Sequence, residues 1–221
     1  MRRIVELGNA QLAENGPAGL SVREIARGLD MVSSAIYRYV RSRDDLLTLL
    51  IVDAYEDLAD AVDADLADAG RSPKNRFLAL GRAMATWALA HPERWSLLYG
   101  TPVTGYDAPA EETTAPGTRV MARILEIAAD AERDTPRSAD AGRAAGPELD
   151  AGVAALAEEW LEDVPVAADA PTVIRAVTAW SALVGAIGAP VFGQLGGPAR
   201  ALGARILEAQ LPLIADLVAP V

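Results

Sequence analysis

The sequence predicts an all-α protein: a small N-terminal three-helix head followed by a larger helical bundle. Three observations carry this expectation. Apolar residues recur with the 3.6-residue helical period, and no stretch shows the sustained alternation, bounded by hairpin turns, that marks strands. Capping patterns open segments at Ser21 and Ser42, while Asn15-Gly16-Pro17 and His91-Pro92 close others. The 221 residues are 51% hydrophobic and 23% charged, the balance of a folded chain rather than a disordered one.

Composition removes several function classes. With no cysteine there is neither a disulfide framework nor a thiolate metal site, and the single histidine, His91, argues against an imidazole-built metal centre. No cofactor is expected. The first residues lack the apolar stretch of a signal peptide, so a cytoplasmic protein is expected. The net charge of −11 is unevenly spread. Residues 1–45 hold seven arginines against six acidic residues, leaving thirteen basic against twenty-five acidic residues beyond them. A phosphate feels charge only within a Debye length of roughly 8–10 Å, so an acidic body does not veto DNA binding by an Arg-rich head.

Element by element, the first helix spans about 2–14 and offers Ile4, Leu7, Gly8, Gln11 and Leu12 on one side, a poor apolar face. Ser21 and Glu24 form a capping-box pattern that opens a helix at residue 22, with Val22, Ile25, Ala26 and Leu29 inward. A turn at Asp30-Met31-Val32 leads to a second short helix, about 33–39, capped by Ser33 or Ser34, with Ile36 inward and Ser33, Ser34, Tyr37 and Arg38 outward. Ser42 through Asp45 caps a long helix that runs toward residue 69 and spans ~40 Å. Helices are then expected at about 74–90, 93–99, 117–133, 148–162, 171–190 and 199–218, with a loop at 100–117 and a flexible connection at 134–147.

Helix, short turn, helix and a fresh cap is the pattern of a helix-turn-helix. Leu20-Ser21 through Ile25-Ala26, then Ser33 through Val40 and Arg43-Asp44-Asp45-Leu46-Leu47, resemble the N-terminal signature of the TetR family of transcriptional regulators. The resemblance implies that the second short helix enters the major groove of double-stranded operator DNA. Carried over by position, Arg23, Ser33, Ser34 and Tyr37 would face bases or the groove wall, and Tyr39 and Arg43 would hold phosphates. Each also has a structural reading: Tyr37 as a cover for the head's core, the arginines as solvated charges, the serines as caps. Two positions depart from the family pattern. Asp30 replaces a glycine at a site that tends to need positive φ, and Val32 replaces a capping serine, so that Ser33 or Ser34 would take over the cap. The resemblance sets a helix-turn-helix domain at 1–45 and a ligand-binding and dimerisation domain at 46–221.

In the body, 24 uncharged residues separate Arg175 from Arg200. Thr178, Ser181, Gly185, Gly188, Pro190 and Gln194 make this a poor membrane span, and a helix buried among helices is preferred. Ser181, Gly185 and Ala189 form a smooth stripe, and the final helix offers Leu202, Ile206, Ala209, Leu213 and Leu217, with Pro212 expected to kink it. The last two helices therefore suit a homodimer interface, as the family resemblance also implies; ordinary intramolecular core is the alternative. The run His91 to Pro109 resembles the start of the WHG-type ligand domain of one family branch. Trp87, Trp95, Tyr99 and Tyr106 gather there as candidates for binding an apolar small-molecule effector, or as plain core. His91 reads as a helix-end cap. The function expected is a ligand-responsive transcriptional regulator, a repressor released from an inverted-repeat operator, and no membrane partner is expected. An all-helical enzyme using Glu158 and Glu159 is disfavoured, because adjacent helical side chains point about 100° apart. An adaptor without DNA binding is the other alternative.

Overall fold

A computed structural model describes residues 1–134, 149–162, 164, 166–197 and 202–219. The connection expected at 134–147 lies outside the described residues except for Asp134, which closes a helix. The elements are α1 Arg2–Asn15, a 3-10 turn Pro17–Gly19, α2 Val22–Gly28, α3 Ser33–Ile36, α4 Arg43–Asp68, α5 Pro73–Ala90, α6 Pro92–Tyr99, α7 Ala110–Asp134, α8 Ala151–Glu162, α9 Ala170–Val191 and α10 Gly203–Val218. No strand occurs among the described residues. The chain divides into two compact units, one of residues 1–60 and 87–118, the other of 61–86 and 119–221.

The first unit is built on Ile4, Leu12, Leu20, Val22, Ile25, Ala26, Ile36, Val40, Leu46, Leu47 and Leu50. The face of α1 that reads as weakly apolar is a close-approach face. A Cβ on Gly8 would stand 2.9 Å from Leu50 Cδ2, so a larger residue there would make the Leu50 side chain shift where α1 meets α4.

The start of the helix expected at 117–133 differs from expectation. The loop ends at Pro109, and α7 begins at Ala110 and passes through Pro116 and Gly117. The Pro109 carbonyl starts it by accepting from the amides of Glu112 (3.1 Å) and Thr113 (3.0 Å) and from the Thr113 hydroxyl (2.9 Å). Glu111 and Glu112 favour the positive end of the helix dipole, and the burial of Val120, Ile124, Leu125 and Ile127 outweighs the one hydrogen bond that Pro116 cannot make.

In the second unit α9 buries Val173, Ala176, Ala179, Leu183 and Ile187, and α10 buries Leu207, Leu211, Ile214, Ala215 and Val218. The two helices pack on each other, and Gly81 of α5 lets the Leu211 side chain of α10 come close to α5, since a Cβ there would lie 2.5 Å from Leu211 Cδ2. By length and composition α9 could cross a bilayer. Part of its length is buried, packed against α10, and its N-terminus is capped by Asp169, whose carboxylate accepts from the Thr172 amide at 2.9 Å.

Candidate nucleic-acid interface

The head is positioned by local hydrogen bonds that the sequence partly announces. The Ser21 hydroxyl accepts from the Glu24 amide at 3.3 Å and starts α2. The second half of the expected capping box is not made by Glu24, whose carboxylate sits 4.0 Å from Arg27. Gln11 of α1 takes that place: its Oε1 accepts from the Ser21 amide at 2.9 Å and its Nε2 donates to the Ser21 carbonyl at 3.4 Å.

Helix α2 ends in a Schellman turn. The Met31 amide bonds the Ala26 carbonyl (2.9 Å) and the Asp30 amide the Arg27 carbonyl (3.1 Å), with Asp30 at φ 54°. Asp30 therefore occupies the left-handed region, as its place in the pattern requires.

The expectation that Ser33 or Ser34 takes over the next cap is corrected. Val32 is the N-cap residue, with extended backbone and no side-chain hydrogen bond, and α3 starts directly at Ser33. The helix is also shorter than the expected 33–39. A single turn ends at Ile36, and the chain continues in turns closed by Tyr39 N to Ile36 O (2.9 Å) and Val40 N to Ile36 O (3.0 Å). Ile36 and Val40, both buried, pin this segment, because four residues cannot hold a helix by their own hydrogen bonds.

At the start of α4 the Ser42 hydroxyl accepts from the Asp45 amide (3.0 Å) and donates to Asp45 Oδ1 (2.8 Å), while Asp45 Oδ2 accepts from the Arg41 amide (3.0 Å). The Ser42 hydroxyl, followed by the Arg41 amide and charge, holds the Asp45 carboxyl below the usual carboxylate range.

Of the six residues expected at DNA, Arg23 and Ser34 are exposed, and Tyr37 and Tyr39 are 40% and 56% exposed. The Ser33 side chain lies outside what is described. Arg43 is engaged within the head: its Nη2 donates to the Pro17 carbonyl at 2.9 Å and its Nη1 lies 3.7 Å from Asp44. Arg27, Arg38 and Arg41 are exposed as well. They are further cations of the head, for which Arg content is the sequence signal.

The four aromatics expected to bind an effector divide into two kinds. Trp87 donates its indole N–H to Asp57 (2.9 Å), and the Tyr106 hydroxyl bonds the Thr48 hydroxyl (2.9 Å). Burial raises the Tyr106 hydroxyl's pKa against the opposing effect of Thr48. Trp95 is wholly buried and its Nε1 has no hydrogen-bond partner among the described residues, while its ring lies 4.5 Å from that of Tyr99, which meets Tyr55 edge-on at 6.3 Å. His91 is at the N-cap of α6 as expected by position, yet its side chain makes no capping bond and leans on Trp87 at 5.3 Å. A surface groove of about 340 Å³ lies elsewhere in the second unit, and its Arg76 and Arg133 are both paired with Asp130.

Sequence reasoning missed Arg94. It is 7% exposed on α6, and its two terminal nitrogens donate to Asp57 Oδ2 (2.6 Å) and Asp53 Oδ2 (2.8 Å). Asn9 of α1 donates to the same Asp53 oxygen at 3.2 Å, and the guanidinium lies 5.2 Å from the Trp87 ring centre. Burial pushes the Asp57 carboxyl up, but the Trp87 and Arg94 donors and the Arg94 charge outweigh it, and the net shift is downward.

Two short helices joined by a Schellman turn, with polar and aromatic side chains outward, define a helix-turn-helix DNA-binding regulator. Residues 4–50 match the profile described as "Bacterial regulatory proteins, tetR family", and residues 77–212 match "Tetracyclin repressor-like, C-terminal domain". The chain belongs to the TetR family of transcriptional regulators. It is 42% identical over 219 residues to the HTH-type transcriptional regulator Rv1816 of Mycobacterium tuberculosis (strain ATCC 25618 / H37Rv), covering 98% of this chain and 91% of that one. It is equally similar to HTH-type transcriptional regulator Mb1846 of Mycobacterium bovis, with the same coverage. Among solved structures, the regulatory protein SCO4313 shares 30% identity at a TM-score of 0.75, over 99% of this chain and 95% of its own. The TetR family transcriptional regulator PfmR of Thermus thermophilus shares the fold at a TM-score of 0.57 and 17% identity, over 98% and 97% of the two chains. Family and relatives are transcriptional regulators, not enzymes.

Proposed function

We propose that this regulator acts in the cytoplasm as a homodimeric repressor that binds an inverted-repeat operator and leaves it when a small apolar effector binds the C-terminal region. In this reading residues 1–45 contact DNA, through Arg23, Ser33, Ser34, Tyr37 and Tyr39, and residues 46–221 carry dimerisation and effector binding. The observation that carries the dimer is the outer face of α10. Leu202, Leu213 and Leu217 are 43%, 69% and 39% exposed, in line with exposed Ala209 and half-buried Ile206. Ser181 and Gly185 of α9 are exposed too, a smooth surface for a partner helix. An exposed apolar row of this kind supports burial against a second copy. Two heads joined in this way suit half-sites about one helical turn, ~34–36 Å, apart.

For the effector, the unpartnered indole N–H of buried Trp95 favours a largely apolar molecule with one hydrogen-bond acceptor, next to Tyr99. Trp87 and Tyr106 have partners of their own and serve the frame around it. Placement in the WHG-type branch rests on residues 91–109 alone.

The test is a selection of bound sequences from a random duplex pool, run beside mass measurement of the protein in solution. An inverted repeat bound by two copies is expected, with Leu213→Glu giving single copies and weak binding. Enrichment of a single, unrepeated half-site by a monomer would overturn the dimer.

A further inference from the structure

Beyond Met1, the described residues of the head expose one large aliphatic side chain, Val32, at 71%. Among the described side chains of residues 32–41, the other exposed ones are polar or aromatic: Ser34, Arg38 and Arg41 are exposed, and Tyr37 and Tyr39 are 40% and 56% exposed. Val32 also occupies the N-cap of α3, where its side chain makes no hydrogen bond. Valine is among the poorest residues for that position, since it leaves an orphan amide of the first turn without the acceptor that serine, threonine or aspartate would supply. The head thus gives up both a cap and the burial of an isopropyl group at one position. Departures from local rules concentrate where a side chain has a binding task.

The backbone holds Val32 firmly in place. The Schellman turn fixes the residues before it through Met31 N to Ala26 O (2.9 Å), and the Val32 carbonyl accepts from the Ala35 amide at 2.8 Å. The side chain is therefore carried at the leading edge of the helix that faces the major groove. The apolar group a duplex presents in that groove is the 5-methyl of thymine; the other base-edge features there are hydrogen-bond donors and acceptors.

We propose that Val32 reads a thymine through its 5-methyl group in each operator half-site. This rests on the DNA-binding reading of the head. Excluding water from a methyl-sized contact corresponds to a roughly three- to fivefold change in affinity per half-site.

The test uses the full-length protein and the operator sequence obtained by selection. Each thymine of a half-site is replaced singly by deoxyuridine, which keeps the base pair and removes only the methyl. One position is expected where wild-type binding weakens roughly three- to fivefold. Val32→Ser, which supplies a capping hydroxyl, is expected to melt at the same or a higher temperature, to bind the thymine operator more weakly, and to be indifferent to the replacement. A wild type insensitive to every replacement, or a Val32→Ser variant that keeps the same sensitivity, would overturn the inference while leaving DNA binding itself intact. If the selection enriches no sequence, the DNA-binding reading fails and this inference fails with it.

Discussion

Gln11 holds Ser21 from both sides, accepting the Ser21 amide with its Oε1 and donating its Nε2 to the Ser21 carbonyl, at 2.9 and 3.4 Å. This amide ties the first helix to the start of the second across ten residues. Replacing Gln11 by methionine keeps the volume and deletes both bonds. A loss of about 1–2 kcal/mol is expected, read as a lower urea midpoint with an unchanged slope.

Arg94 is the larger structural commitment. Arg94→Met leaves the Asp53 and Asp57 carboxylates facing each other without their cation. Both carboxylates are partly solvated, so the expected cost is about 1–3 kcal/mol rather than that of a fully buried pair. Arg94→Lys should recover little of it, because one ammonium does not reproduce a two-pronged contact. Thermal melting of the two variants checks this.

The Asp57 carboxyl is depressed in the folded state by Trp87 and Arg94 against an opposing burial effect. The unfolded chain therefore binds its proton more readily than the folded one. The stabilisation is fully present above the unfolded carboxyl value of roughly 3.9 and is lost as the pH falls through the folded value. Wild type should exceed Asp57→Asn in stability by a constant margin near neutrality, and the margin should vanish in acid. Urea midpoints measured from neutrality down into acid test this; a margin that grows on acidification would contradict the sign.

Asp30 sits at φ 54° and closes the Schellman turn. Asp30→Gly removes the left-handed penalty and should stabilise the protein by about 0.5–1 kcal/mol. Differential scanning calorimetry reads the gain.

The parts of the head that were legible in the sequence are those governed by neighbours. The Ser21 and Ser42 caps and the inward set Val22, Ile25 and Ala26 follow from spacing alone, and the positive φ at Asp30 from the family resemblance. What was hidden depends on residues far along the chain. Gly8 reads as a weak helix residue until Leu50 is seen above it, and Gln11 as a blemish on an apolar face until Ser21 is. Arg94 looks like one surface charge among many until α1 and α4 supply Asn9, Asp53 and Asp57. The start of α7 was misplaced because Pro116 and Gly117 carry a local stop signal that tertiary burial overrides. Val32 was legible as a departure, but its exposure was not.

The one-turn α3 is anchored by Ile36 and Val40 and owes almost nothing to its outward residues. Shape and vocabulary are thus encoded by different letters of the same short segment. If Val32 and Ser34 meet bases as proposed, substitutions there would change which base sequence is preferred without unfolding the head, and a duplicated gene would acquire a new operator by a few surface changes while keeping the scaffold that presents them.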